Sequence, residues 1–145
     1  MRTDIGFTGT REGMTDEQRR VVGFVVEWLI ARGATRAHHG DCVGADDDFH
    51  GIARRLGLRM VGHPPNETRL RAFCRVDEEH EARPYLARNA DIVRDSHVMI
   101  ACPRVMATHG KGGTYRTIAM ARESGRPLIV VYPDGSTLVE QGSGL

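Results

Sequence analysis

The stretch Val98-Met99-Ile100-Ala101-Cys102 is apolar at every position. A strand with one wet face alternates, whereas an uninterrupted run of this length belongs to a strand covered on both faces. Leu128-Ile129-Val130-Val131-Tyr132 has the same character, and Pro127 and Pro133 bound it. Two such runs call for a parallel sheet sandwiched between helices. The 145 residues suit one domain with room for a full core.

Helices are found where that architecture needs them. Thr15-Asp16-Glu17-Gln18 has the form of a capping box, in which a hydroxyl and an amide three residues apart satisfy free N–H groups. Val21, Val22, Val25, Trp28 and Leu29 follow at helical spacing, and Gly33 suits the left-handed position beyond a helix end. A strand over Ile5–Thr8 precedes this helix, and a weakly apolar one at Ala37–His39 follows it. A helix over Asp47–Leu56 closes at Gly57, and Leu58–His63 reads as a strand stopped by Pro64-Pro65. Residues 66–83 are polar and arginine-rich and form a long excursion. A helix over Tyr85–Val93, with Tyr85, Leu86, Ala90 and Val93 as its apolar stripe, leads to the strand His97–Cys102. A helix over Thr114–Glu123 precedes the last strand, and the tail from Pro133 reads as loop. The expected fold is therefore α/β: a Rossmann-like doubly wound domain with about five parallel strands and helices on both faces.

Ligands of such sheets sit beyond the carboxyl ends of the strands, and the glycine clusters fall there. Gly9-Thr10-Arg11 follows the first strand and Gly40-Asp41-Cys42-Val43-Gly44-Ala45-Asp46 the second. Gly110-Lys111-Gly112-Gly113-Thr114 opens a helix, where free N–H groups and the helix dipole favour an anion. Arg11 can fork onto a phosphate. The plainer reading of these loops is tight turns, with Thr114 as an N-cap. Asp46, Asp47 and Asp48 stand where carboxylates favour a helix dipole, and Asp46 in a pocket could also bind ribose or move a proton. Among the arginines of the excursion and the helix after it, most suit a salt-bridged surface. Arg88-Asn89 is the pair selected for a ligand phosphate.

His38-His39-Gly40-Asp41-Cys42 gathers metal-ligand types, but adjacent strand residues face opposite ways and no second ligand cluster stands elsewhere. No metal and no cofactor is assigned; one histidine and Asp41 are expected to line the pocket while the other histidine packs. Cys42 lacks a paired base. Lys and Arg total 20 against 19 Asp and Glu, which disfavours a dedicated nucleic-acid binder. The absence of a long apolar run excludes a helical membrane span, and Cys42, Cys74 and Cys102 read as reduced thiols of a cytoplasmic protein.

Taken together, Gly6-Phe7-Thr8-Gly9-Thr10-Arg11, His39-Gly40-Asp41-Cys42-Val43-Gly44-Ala45-Asp46 and Gly112-Gly113-Thr114-Tyr115 resemble the SLOG superfamily. That group includes the Lonely Guy (LOG) proteins, the Rossmann domain of DNA-processing protein A, and small bacterial and phage proteins. The resemblance spans Asp4 to about Pro133 and implies a Rossmann-like fold with a nucleotide or nucleotide derivative as small-molecule partner. Lonely Guy enzymes cleave the N-glycosidic bond of nucleoside monophosphates with a Pro-Gly-Gly-x-Gly-Thr-x-x-Glu signature. Gly110, Gly113 and Thr114 match it, Lys111 departs from it, and Thr117 stands where the catalytic Glu belongs. The resemblance thus implies phosphate binding but not hydrolysis, leaving Asp41 or Asp46 as substitutes for the acid. A non-catalytic sensor or carrier and a single-stranded nucleic-acid module are the alternatives. Relatives often pair through helices, so a homo-oligomer is among the expectations.

Overall fold

The computed structural model describes residues 3–142; Met1, Arg2 and the end of the tail, residues 143–145, lie outside them. Strands β1 (Thr3–Gly9), β2 (Ala34–His39), β3 (Arg59–Gly62), β4 (Glu78–Glu79), β5 (Val98–Cys102), β6 (Leu128–Val131) and β7 (Thr137–Glu140) form one sheet in the order β4-β3-β2-β1-β5-β6-β7. Pairings from β4 through β6 are parallel, and β7 returns antiparallel on β6. Helices α1 (Asp16–Ile30), α2 (Ala45–Arg55), α3 (Tyr85–Asp95) and α4 (Gly113–Glu123) cover the faces.

The apolar runs behave as their composition requires. Val98, Ile100 and Cys102 point into a core with Ile5, Phe7, Val22, Val26 and Phe49, while Met99 and Ala101 point into the opposite core with Ile92, Ile118, Leu128 and Val130. Each fully buried side chain of this size contributes about 1.5–3 kcal/mol, so both faces hold the central strands. Phe7 and Phe49 stack with centroids 4.3 Å apart and planes 6° from parallel, fixing α2 on β1.

The capping box forms as the sequence indicates. Gln18 N donates to Thr15 Oγ1 (3.0 Å) and Thr15 N to Gln18 Oε1 (2.9 Å). The Gln18 amide also donates to Pro103 O and Val131 O, locking the start of α1 to the ends of β5 and β6. The inner stripe of α1 is Gln18, Val22, Val26 and Leu29, whereas Trp28 lies outside with its ring under Arg32. The helix ends at Ile30, and Gly33 takes its positive φ two residues beyond the C-cap Ala31.

Four further expectations are corrected. The sheet has seven strands rather than about five, because the excursion adds β4 and the tail adds β7. The tail is ordered as a hairpin: Asp134 accepts from Ser136 N, Gly135 adopts φ +86°, and Tyr132 N donates to Ser136 O. On α3, Ala90 faces solvent while Arg88, Asn89 and Asp91 are buried with Ile92 and Val93, since the helix packs over polar loops as well as apolar strands. Helix α4 starts at Gly113 with Gly112 (φ +97°) as N-cap, so Thr114 is the second helical residue and not the cap.

Candidate functional site

The chain leaves β1 for β2, β3 and β4 on one side, then crosses to β5 on the other. Connections diverge at the carboxyl ends of β1 and β5, which opens a crevice there. A cleft of about 450 Å³ occupies this place. Its wall comes from Gly9 at the end of β1 and the loop after it (Thr10, Arg11, Glu12), the loop after β2 (Gly40, Cys42), and Asp46 of α2. Tyr85, Arg88 and Asn89 of α3, Arg104 after β5, and Lys111, Gly112, Gly113 and Thr114 at α4 complete it.

The floor is tightly knit. Arg88 is buried, and its guanidinium donates to Gly40 O, to His63 O (3.0 Å) and to Cys42 Sγ (3.1 Å). Asp46 Oδ2 accepts from Cys42 N at 3.1 Å. Burial pushes the Asp46 carboxyl up to about 6, against the pull of the Arg88 charge and backbone N–H donors. Gly40 has no room for a side chain, because a Cβ there would meet the Arg88 guanidinium and the Asp46 carboxylate. The Cys42 thiol is raised by burial and by Asp46, which disfavours the thiolate a nucleophile needs.

The rim is different. Whereas α1 has a capping box and both α1 and α2 carry acids in their first turns, among the described residues no side chain caps α4 and its first turn holds no acid. Its N-terminal N–H groups and dipole are thus open to an anion. Arg11 and Lys111 are exposed at the same cleft, and among the described residues Arg104 pairs only with the exposed Glu12 (3.2 Å). Thr117 is fully buried and donates to Gly113 O at 2.9 Å, so a hydroxyl turned onto its own helix stands at the Glu position of the Lonely Guy signature.

Several expected site residues lie elsewhere. Asp41 adopts φ +51° and turns from the cleft; its carboxylate accepts from Arg71 Nε (3.0 Å) and Cys74 N (2.8 Å), anchoring the excursion. Gly44 (φ +94°) caps α2 against the Arg11 backbone, and Ala45, fully buried, donates its N–H to Thr10 O (2.9 Å). Gly110 packs on the Tyr115 ring. None of these four lines the cleft, and neither histidine does. His39 is fully buried, accepting from Asp41 N (2.9 Å) and facing His50 at 3.0 Å; burial lowers its pKa to about 3. His38 lies on the opposite face between Asp4 (2.8 Å) and His63 (2.9 Å). Arg69, Arg71 and Arg83 of the excursion pair with Glu67, with Asp41 and Glu79, and with Asp91. Tyr85 and Arg104, both in the wall, sit in no glycine loop and stand outside the residues the sequence points to.

No protein-family model matches the sequence, and no curated protein matches it. Solved structures do match in fold. One is the molybdenum cofactor binding protein from the phototrophic bacterium Rippkaea orientalis, at TM-score 0.70 and 22% identity over 91% of this chain and 77% of that one. Another is the molybdenum cofactor carrier protein from Chlamydomonas reinhardtii, at TM-score 0.63 and 18% identity over 90% and 76%. The structural-genomics target TM1055 matches at TM-score 0.65 and 18% identity over 87% and 72%. At these identities what is shared is the architecture, a Rossmann-like α/β fold.

Proposed function

We propose that this chain is a SLOG-type binding protein that holds a phosphate-bearing nucleotide, or a cofactor of similar chemistry, without cleaving it. The observation that carries the reading is the uncapped N-terminus of α4, opening with Gly112 and Gly113 into a cleft lined by Arg11, Arg104 and Lys111. Backbone N–H groups and a helix dipole bind the anion, and cations at the rim neutralise its charge. Thr117 offers no carboxylate, which favours a carrier or sensor over a hydrolase. Two proteins of similar fold are named for binding or carrying the molybdenum cofactor, which also accords with a carrier.

The test is thermal unfolding against nucleoside mono-, di- and triphosphates, ADP-ribose, NAD and cyclic nucleotides. A ligand present at 100 times its Kd stabilises the native state by about 2.7 kcal/mol. A selective shift that Lys111→Ala and Arg11→Ala diminish supports the reading; no shift with any of these ligands removes it.

A second reading rests on Asp46. A buried carboxyl with its pKa near 6, lining the cleft, is suited to give a proton to a departing base. Incubating the stabilising ligand and measuring released base separates the two. Turnover lost in Asp46→Asn with binding retained makes the protein an enzyme, and intact ligand makes it a carrier.

A further inference from the structure

Away from the cleft, on the sheet face that α3 covers, three residues distant in sequence converge. His38 of β2 and His63 just after β3 are each 1% exposed, and their Nδ1 and Nε2 atoms lie 2.9 Å apart. Asp95, at the end of α3, brings a carboxylate so that one ligand atom from each residue lies within 4.8 Å of the others. His38 Nε2 meets Asp4 Oδ2 at 2.8 Å.

Proton placement decides what these atoms offer. The Asp4 carboxylate accepts, so His38 carries its proton on Nε2 and presents a lone pair at Nδ1. Without an ion, His63 must donate Nε2–H to that lone pair. Its own Nδ1 then stays buried without a hydrogen-bond partner. No hydrogen bond among the described residues holds that Nδ1, so the His63 ring is free to exchange tautomers and release the Nε2 lone pair toward His38. A carboxylate holding the far nitrogen of a histidine is also the usual outer support of a metal ligand.

The other histidine pair lacks this freedom. His39, His50 and Cys74 also bring ligand atoms together. But His39 Nδ1 accepts from Asp41 N, which puts its proton on Nε2, the atom facing His50. That nitrogen has no lone pair to give.

We propose that His38, His63 and Asp95 form a binding site for one divalent transition-metal ion of zinc-like ligand preference, with Asp4 orienting His38. On binding, the ion takes the place of the shared proton between His38 Nδ1 and His63 Nε2, and that proton moves to His63 Nδ1. Zinc–nitrogen distances of about 2.0–2.1 Å in tetrahedral geometry set the two nitrogens about 3.3 Å apart, a widening of a few tenths of an ångström from the present contact. The solvent side of the cluster is formed by Asp95, 26% exposed and paired with Arg94 (3.0 Å), and by His80, an exposed residue whose ring lies 4.1 Å from that of His63. The three ligand side chains lie outside the cleft lining, although the backbone carbonyl of His63 accepts from Arg88 of the cleft floor (3.0 Å).

The test is titration of the full chain, free of any histidine tag and stripped with EDTA, with Co²⁺ and then Zn²⁺. The expected result is one Co²⁺ per chain with the visible absorption of a tetrahedral nitrogen and oxygen site, displaced by Zn²⁺. Asp95→Asn and His63→Gln abolish binding, while Asp4→Asn weakens it ~10- to 100-fold. Asp95→Asn sits at a helix end and tolerates the change, so a folding failure in His63→Gln leaves the test intact. His50→Gln and Cys74→Ser leave binding unchanged. Failure to bind either metal overturns the proposal. A sulfur-to-cobalt charge-transfer band, or binding lost in Cys74→Ser and kept in Asp95→Asn, also overturns it.

Discussion

Replacing Arg88 with methionine tests whether the cleft floor is built by this guanidinium or merely furnished with it. The stem is retained in volume, and what disappears is the donor set to Gly40 O, His63 O and Cys42 Sγ. A hydrogen bond to a charged donor contributes about 1.5–3 kcal/mol, so the two carbonyl bonds give about 3–6 kcal/mol. Relief of a buried guanidinium offsets part of that, and we expect a loss of about 3 kcal/mol at pH 7. A second effect has a definite pH dependence. Arg88 pulls the Asp46 carboxyl down from where burial alone would leave it, and even so it stands near 6. Without Arg88 it climbs, and each pH unit between the wild-type and the variant pKa adds about 1.4 kcal/mol to the deficit. At pH 5 the folded wild type already carries Asp46 largely neutral, and the added deficit vanishes. Urea unfolding followed by circular dichroism at pH 7 and pH 5, with unchanged m, reads both quantities. A deficit under ~1 kcal/mol at pH 7, with ligand binding lost, would refute the argument: the guanidinium would then be reserved for ligand rather than consumed by the loops.

Three other outcomes follow from the same geometry. His39 and His63 sit near pKa 3 because burial disfavours their charged forms; the unfolded chain takes up protons below about 6.5, so each withdraws about 2 kcal/mol by pH 5, partly offset by Asp46, and stability curves from pH 7 to 5 in EDTA should fall accordingly. Phe49→Ala removes the partner stacked on Phe7 and should lower stability by about 3–5 kcal/mol in urea, with a small decrease showing that α2 is held by something else. Gly113→Val places a Cβ 3.5 Å from Tyr85, an ordinary contact, so melting should change little while affinity for the stabilising nucleotide falls at least ~10-fold by calorimetry; undiminished affinity would remove α4 from the site.

What was legible in the sequence is what short-range physics decides. The capping box at Thr15 and Gln18 forms because both partners lie within one turn, and Val98–Cys102 divides between two cores because a strand alternates. The Asp134-Gly135 turn is local in the same way, but the Gly, Ser and acidic composition of the tail reads as loop and hides it. Asp41 was illegible for a different reason. Its direction is set by Arg71, Ala72 and Cys74, which reach it only after the excursion has folded back. The meeting of His38, His63 and Asp95 likewise exists only in three dimensions.

The division between floor and rim carries the argument about recognition further than either part alone. Gly40, Arg88, Asp46 and Cys42 are bonded among themselves, with Arg88 Nε left unpartnered among the described residues, and a ligand group competing for the bonded atoms would have to break charge-assisted bonds already made. Arg11, Lys111 and the first turn of α4 have no such commitments to capping side chains or acids of their own helix. The charged part of a ligand therefore belongs at the rim. The floor meets the remainder through Asp46, whose proton is lost or gained close to neutrality. A ligand that accepts a hydrogen bond there should bind more tightly as pH falls through 6, and one that donates should bind less tightly. Calorimetry at pH 5 and pH 7 on wild type and Asp46→Asn distinguishes them, and a pH dependence that survives the substitution would place the titrating group outside the floor.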